Sequence, residues 1–79
     1  MNKVVPLTEK AARLRLIRLL EKKSQILVMN RQETPAYKTH GRYMILDELN
    51  NILACSATLT PWLEANELIK SREYVLGEE

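Results

Sequence analysis

Arg42 to Ser56, RYMILDELNNILACS, constrains the fold more than any other stretch, because two apolar runs flank a polar turn. Tyr43-Met44-Ile45-Leu46 leads into Asp47-Glu48, and Ile52-Leu53-Ala54-Cys55 leads out of Asn50-Asn51, an amide pair that tolerates left-handed backbone. The pattern reads as a β-hairpin. Each run is apolar at consecutive positions and not at alternate ones, which predicts that both faces lose water in the middle of a packed domain. On that view Cys55 is a small core residue.

Helical signals bracket this hairpin. Thr8 is a suitable N-cap, and Glu9 suits the positive end of a helix running to Lys22 or Lys23. At about 100° per residue, Ala12, Leu16, Leu19 and Leu20 form one stripe with Ile17 at its edge. Arg15, Arg18 and Lys22 fall opposite, with Leu14 beside them. Gln25 to Arg31, QILVMNR, reads as a buried strand. Gln32 to Gly41 contains Pro35 and ends in glycine, and reads as a loop or irregular edge strand. Thr60-Pro61 opens a second helix expected to reach Ser71, with Trp62, Ala65, Leu68 and Ile69 on its apolar arc and Leu63 pointing away. Tyr74 to Leu76 forms a short last strand or simply packs down.

The resulting order is α-β-β-β-α, and the fold class is α+β: a two-layer sandwich with two helices on a small antiparallel sheet. Its expected core is Leu16, Leu20, Ile26, Val28, Ile45, Leu53, Trp62 and Ile69. One domain spans residues 1–79, with 1–7 and 77–79 expected as flexible ends. The order resembles that of double-stranded RNA-binding domains, and AYKTHG is similar to the tyrosine-to-glycine strand after the first helix there. That family holds phosphates with a lysine-rich start to its last helix. Here TPWLEANELIK begins with proline, tryptophan and leucine and carries Glu64, so the resemblance is one of topology and supplies no phosphate-holding lysines.

A chain of 79 residues buries only about 60–65% of the surface its unfolded form exposes, so its stability is expected to be marginal. Small domains gain from disulfides, metals or partners. Cys55 is the only cysteine, which excludes an internal disulfide, and with His40 the only histidine a closed zinc site lacks ligands. No cofactor is expected, and a protein partner or a second copy is what remains. Twelve Lys and Arg against ten Asp and Glu leave a net charge of +2, with no strong global attraction to nucleic acid or membrane. No apolar run has the length of a signal peptide or membrane span, so the expected location is cytoplasmic, without membrane contact.

Three groups of residues are candidate sites. Arg15, Arg18 and Lys22 could meet phosphates, but three such contacts give a salt slope of only about −2.7, and an amphipathic helix needs a polar face in any case. Tyr37, Lys38, His40 and Arg42, with Tyr43, interleave rings and cations. That mixture suits a protein interface, a single-stranded nucleic-acid platform or an ordinary loop. Leu14 and Leu63 lie off their helices' apolar arcs and together would line a contact patch. His40 has no second histidine to work with, Asp47 and Glu48 belong to a turn, and Gly41 and Gly77 make no phosphate loop, so an enzyme is not expected. The favoured expectation is a non-enzymatic regulator or adaptor acting by protein–protein binding, as a homodimer, through Tyr37, Lys38, His40, Arg42, Leu14 and Leu63. The alternative is a nucleic-acid-binding accessory protein using Arg15, Arg18, Lys22 and the tyrosine-rich loop.

Overall fold

The computed structural model describes residues 4–78. It is a mixed α+β structure with a three-stranded antiparallel sheet, as expected, but three elements differ from the sequence expectation. The chain enters as β1 (Val5–Leu7), part of a segment assigned above to a loose end. Thr8 then caps α1 (Glu9–Glu21), its hydroxyl accepting from Ala11 N at 3.1 Å. Ala12, Leu16 and Leu20, spaced four apart, are buried, while Leu19 and Ile17 are half-buried. A turn with Ser24 at φ 56° leads into β2 (Ile26–Met29).

The second difference is α2 (Pro35–His40), a short helix in place of the expected loop or edge strand. Its start has the same Thr-Pro signal that marks the last helix: Thr34 accepts from Tyr37 N, and Pro35 sits where its missing N–H is harmless. Gly41 ends it at φ +85°, donating its N–H to Tyr37 O. Only glycine fits there without strain, since a Cβ would also come 3.2 Å from Ser56 O.

The hairpin follows as β3 (Tyr43–Leu46) and β4 (Ile52–Ser56), with Asn50 at φ 65° in its turn. The third difference is α3 (Thr60–Ala65), which stops six residues short of Ser71 at a turn where Glu67 takes φ 55°. An arc drawn for the longer helix therefore fails, and Leu63 is fully buried instead of pointing outward. Finally β5 (Glu73–Val75) pairs in parallel with β1, Val5 opposite Glu73 and Leu7 opposite Val75. This pairing joins residues near the two ends of the described chain.

In the larger sheet β3 is central, with β2 and β4 on either side. Tyr43 and Ile45 point into the core with α1 and α3, where Leu16, Leu59, Leu63 and Val75 are also closed to water. Of the expected core, Leu16, Leu20 and Ile45 are buried, and Trp62 and Ile69 pack at the margin. Ile26, Leu53 and Val28 are not in it. Their register partners explain why: Ile26 pairs with Leu46, and Val28 with Met44, residues on the face opposite Tyr43 and Ile45. The inward residue of β2 is Leu27, opposite Ile45 and packed on the core. Helix α2 and the added β1 also remove the α-β-β-β-α order on which the topological resemblance rested.

Candidate functional site

The outward face of the three-stranded sheet is apolar throughout. Across the strands, Val28, Met44 and Cys55 form one rung, and Ile26, Leu46 and Ile52 form the next. A register irregularity at Ile45/Leu46 adds Leu53, so Ile52 and Leu53 are both exposed near the hairpin. Ile26 is 51% exposed, Ile52 46% and Leu53 49%. The helices that close the core, α1 and α3, lie against Tyr43 and Ile45 on the other side. The Cα extent along the thinnest axis is 17 Å, consistent with one sheet and one helical layer. Cys55 is correspondingly exposed, and not the core residue expected.

The hairpin turn carries this surface further. Leu49, at its tip, is 81% exposed. Asp47 holds the turn rigid: one carboxylate oxygen accepts from Leu49 N and Asn51 N, both at 2.9 Å, and the other from Asn51 Nδ2 at 3.1 Å. These donors, those of Asn51 first, hold the Asp47 carboxyl below its ordinary range. A fixed turn presenting a leucine has already met the conformational cost of ordering it for contact.

The polar side chains singled out from sequence serve the fold more than the surface. Arg15 donates from both terminal nitrogens to Glu73, at 2.9 and 3.0 Å, and also to Leu68 O at 2.8 Å. It ties α1 to β5 and the segment before it, and only Arg18 and Lys22 of the basic stripe remain unengaged by these bonds. They border a depression of about 250 Å³ with Leu19 and Leu68. Glu73 is buried and accepts also from Lys70 N at 2.8 Å. The Arg15 bonds, reinforced by that N–H, hold its carboxyl well below the usual range, at about 2.

Arg42 is likewise occupied. Its Nη2 reaches both Glu9 oxygens at 3.2 and 3.0 Å, its Nε donates to the Tyr43 hydroxyl at 3.0 Å, and the guanidinium lies 5.5 Å from the Tyr43 ring centre. Burial, more than any other influence, pushes the Tyr43 hydroxyl up from its ordinary value. Tyr37, Lys38 and His40 share α2, with Lys38 exposed and the other two half-buried. Ser56, close to the end of α2 through Gly41, spends its hydroxyl on Thr58, donating to its O and accepting from its N. Leu14 is exposed on α1, at 43%, but Leu63 is in the core, so the two cannot share a patch.

Sequence reasoning missed Glu78. Leu59 occupies the N-cap position of α3 without a side-chain bond, and the distant Glu78 carboxylate takes Leu59 N, Thr60 N and the Thr60 hydroxyl. A residue expected in a flexible end thus closes the helix start. The Thr60-Pro61 signal located the helix, but no local pattern marks a capping group 18 or 19 residues away. Among the described residues, no cluster of three His, Cys, Asp or Glu side chains could hold a metal ion, and no helix is long and apolar enough to cross a membrane. No protein-family model, curated protein or solved structure matches this chain.

Proposed function

We propose that this chain is a small non-enzymatic regulator or adaptor that acts by binding protein, with the outer face of β2–β3–β4 as its contact surface. The observation that supports this is the unbroken apolar character of that face and its exposed extension to Leu49. Isolated exposed leucines are ordinary, but apolar residues contiguous across three strands mark an interaction site. The exposed parts of Ile26, Leu49, Ile52 and Leu53 equal roughly two whole aliphatic side chains, worth roughly 3–7 kcal/mol per copy when buried. Association itself costs about 4–15 kcal/mol, so such a surface supports reversible binding.

The nucleic-acid reading has less behind it, because Arg15 is committed to Glu73. With Arg42 also tied to Glu9, Arg18, Lys22 and the exposed Lys38 give a salt slope of only about −2.7. The test is to immobilise the full chain and its Leu53→Lys variant and recover host macromolecules on each. Protein retained by the parent alone, and retained equally from about 0.1 to about 0.5 M salt, is the expected outcome. Material released by nuclease or by salt would overturn the proposal in favour of Arg18 and Lys22.

A further inference from the structure

We propose that the helical layer carries a second contact site: the depression between α1 and the turn after α3 takes a short extended peptide of a partner protein in which acidic and aliphatic residues alternate. The site lies away from the outer sheet face and does not depend on the reading of that face. Its walls come from one stripe of α1 and from Leu68, around a volume of about 250 Å³. Arg15, Arg18, Leu19 and Lys22 fall at i, i+3, i+4 and i+7, which is one side of a helix.

Arg15 fixes the frame. Its guanidinium donates to Leu68 O at 2.8 Å and to both Glu73 oxygens, which holds α1 against the far wall and balances the Arg15 charge. Arg18 and Lys22 differ: both are exposed, and neither has a hydrogen bond or ion pair among the described residues. Glu21 and Glu67, the acids adjoining this region in sequence, do not line the depression. The rim therefore carries two unpaired cations, while the floor, formed by half-buried Leu19 and Leu68, is apolar.

That combination selects the occupant. A nucleic-acid backbone would meet the cations but has nothing to set on Leu19 and Leu68, and so few phosphate contacts do not resist salt. An extended peptide turns alternate side chains to opposite sides, so acids face Arg18 and Lys22 while the aliphatic residues between them cover the leucines. The spacing agrees. Four residues of helix separate the two cations by about 6 Å, and acids two positions apart on a strand are about 7 Å apart. Exposed ion pairs and a small apolar floor give low affinity, so this contact is made and broken quickly and does not survive a wash.

Amide chemical shifts of the full chain, titrated with a short peptide of alternating glutamate and leucine, test this. The expected shifts saturate in the high micromolar to millimolar range and centre on Arg18, Leu19, Lys22 and Leu68. Arg18→Glu with Lys22→Glu should weaken binding about tenfold or more, whereas Lys10→Glu with Lys38→Glu, which removes the same charge from exposed positions elsewhere, should change it by no more than about threefold. None of these four side chains is bonded within the fold, and the same spectra check that each variant is folded. A peptide with glycine in place of leucine should bind several-fold more weakly. Equal binding of the glycine peptide, or equal losses in the two double variants, reduces the contact to net charge and overturns the site. Shifts on the outer face of β2–β3–β4 that disappear in Leu53→Lys overturn the site while the reading of the sheet face stands. An oligonucleotide of equal charge that shifts the same amides at lower concentration, or shifts there on concentrating the protein alone, overturns the occupant in favour of nucleic acid or a second copy. No saturating shift at all overturns the proposal outright.

Discussion

Tyr43 and Ile45 on β3 are almost entirely removed from water, at 1% and 8% exposure, whereas Met44 and Leu46, one residue along, share their face with Ile26 and Ile52, each about half exposed. Both faces of the sheet are apolar. What separates them is that α1 and α3 pack on one, while Ile26, Ile52 and Leu53 on the other stay about half exposed. Apolar composition therefore specifies that a surface should be buried, while topology decides whether its own chain does the burying. Ion pairs and caps are also distributed unevenly. Arg15–Glu73, Arg42–Glu9 and Glu78 at α3 all brace the helical side, and the outer face has no polar side chain to orient it.

Truncations give the largest contrast. Leu16→Ala removes a fully buried side chain and should cost about 2–5 kcal/mol, a large part of the about 5–15 kcal/mol that a domain commands. Ile26→Ala, on the open face, should cost less than about 1 kcal/mol. Denaturant midpoints for the two variants at a concentration where the chain is monomeric measure the difference directly. Equal losses would mean that the outer face is covered even in the monomer.

Gly41→Ala is expected next in size. Its φ of +85° and the 3.2 Å approach of a Cβ to Ser56 O make the substitution strained on both counts, for a loss of about 1–3 kcal/mol. The contrast sharpens if Cys55, one residue from Ser56 and on the outward face, tolerates alanine with little change in the same assay.

The Glu73 ion pair makes the helical side sensitive to acid in a way the outer face cannot match. Its folded carboxyl titrates at about 2, below the ordinary 4.5, so the unfolded chain binds more protons between those values. The stability it contributes is fully present above pH 4.5 and is lost as pH falls toward 2. Glu73→Gln should lower the melting temperature at neutral pH and flatten its decline through that window. An unchanged slope would show that other carboxylates govern acid unfolding.

These contrasts also show how much was legible in the sequence. The first helix, the strand after it and the hairpin follow from local periodicity and turn chemistry, and all three are present, whereas Tyr74 to Leu76 left a strand and simple packing equally open and β5 settles it. Helix α2 was equally legible, because Thr34-Pro35 and Gly41 bracket it, but its polar composition gives no amphipathic stripe and invites a loop assignment. Consecutive apolar residues in ILVM and ILACS could not reveal which residues point inward, since parity is set by pairing with β3 and not by the strand alone. That one sheet face stays open is legible, because doubly apolar strands with both helices on one side leave apolar surface on the other, but the residues that form it are not: Ile26, Leu53 and Cys55 read as core. The roles of Arg15, Arg42 and Glu78 depend on partners 58, 33 and about 18 residues away, and no local signal carries them.

The smallest expected effect bears on the comparison most directly. Leu53 is about half exposed at the irregularity in β4, so a lysine there can keep its ammonium in water while its methylenes cover the same apolar surface. Leu53→Lys should therefore change monomer stability by no more than about 0.5 kcal/mol, the range of ordinary surface substitutions. A residue that belonged to the core would behave otherwise, since a buried, unpaired charge would unfold so small a domain. Chemical denaturation in dilute solution isolates this quantity from any effect on association. A loss comparable to that of Leu16→Ala would return Leu53 to the core and remove the distinction between the two faces of the sheet.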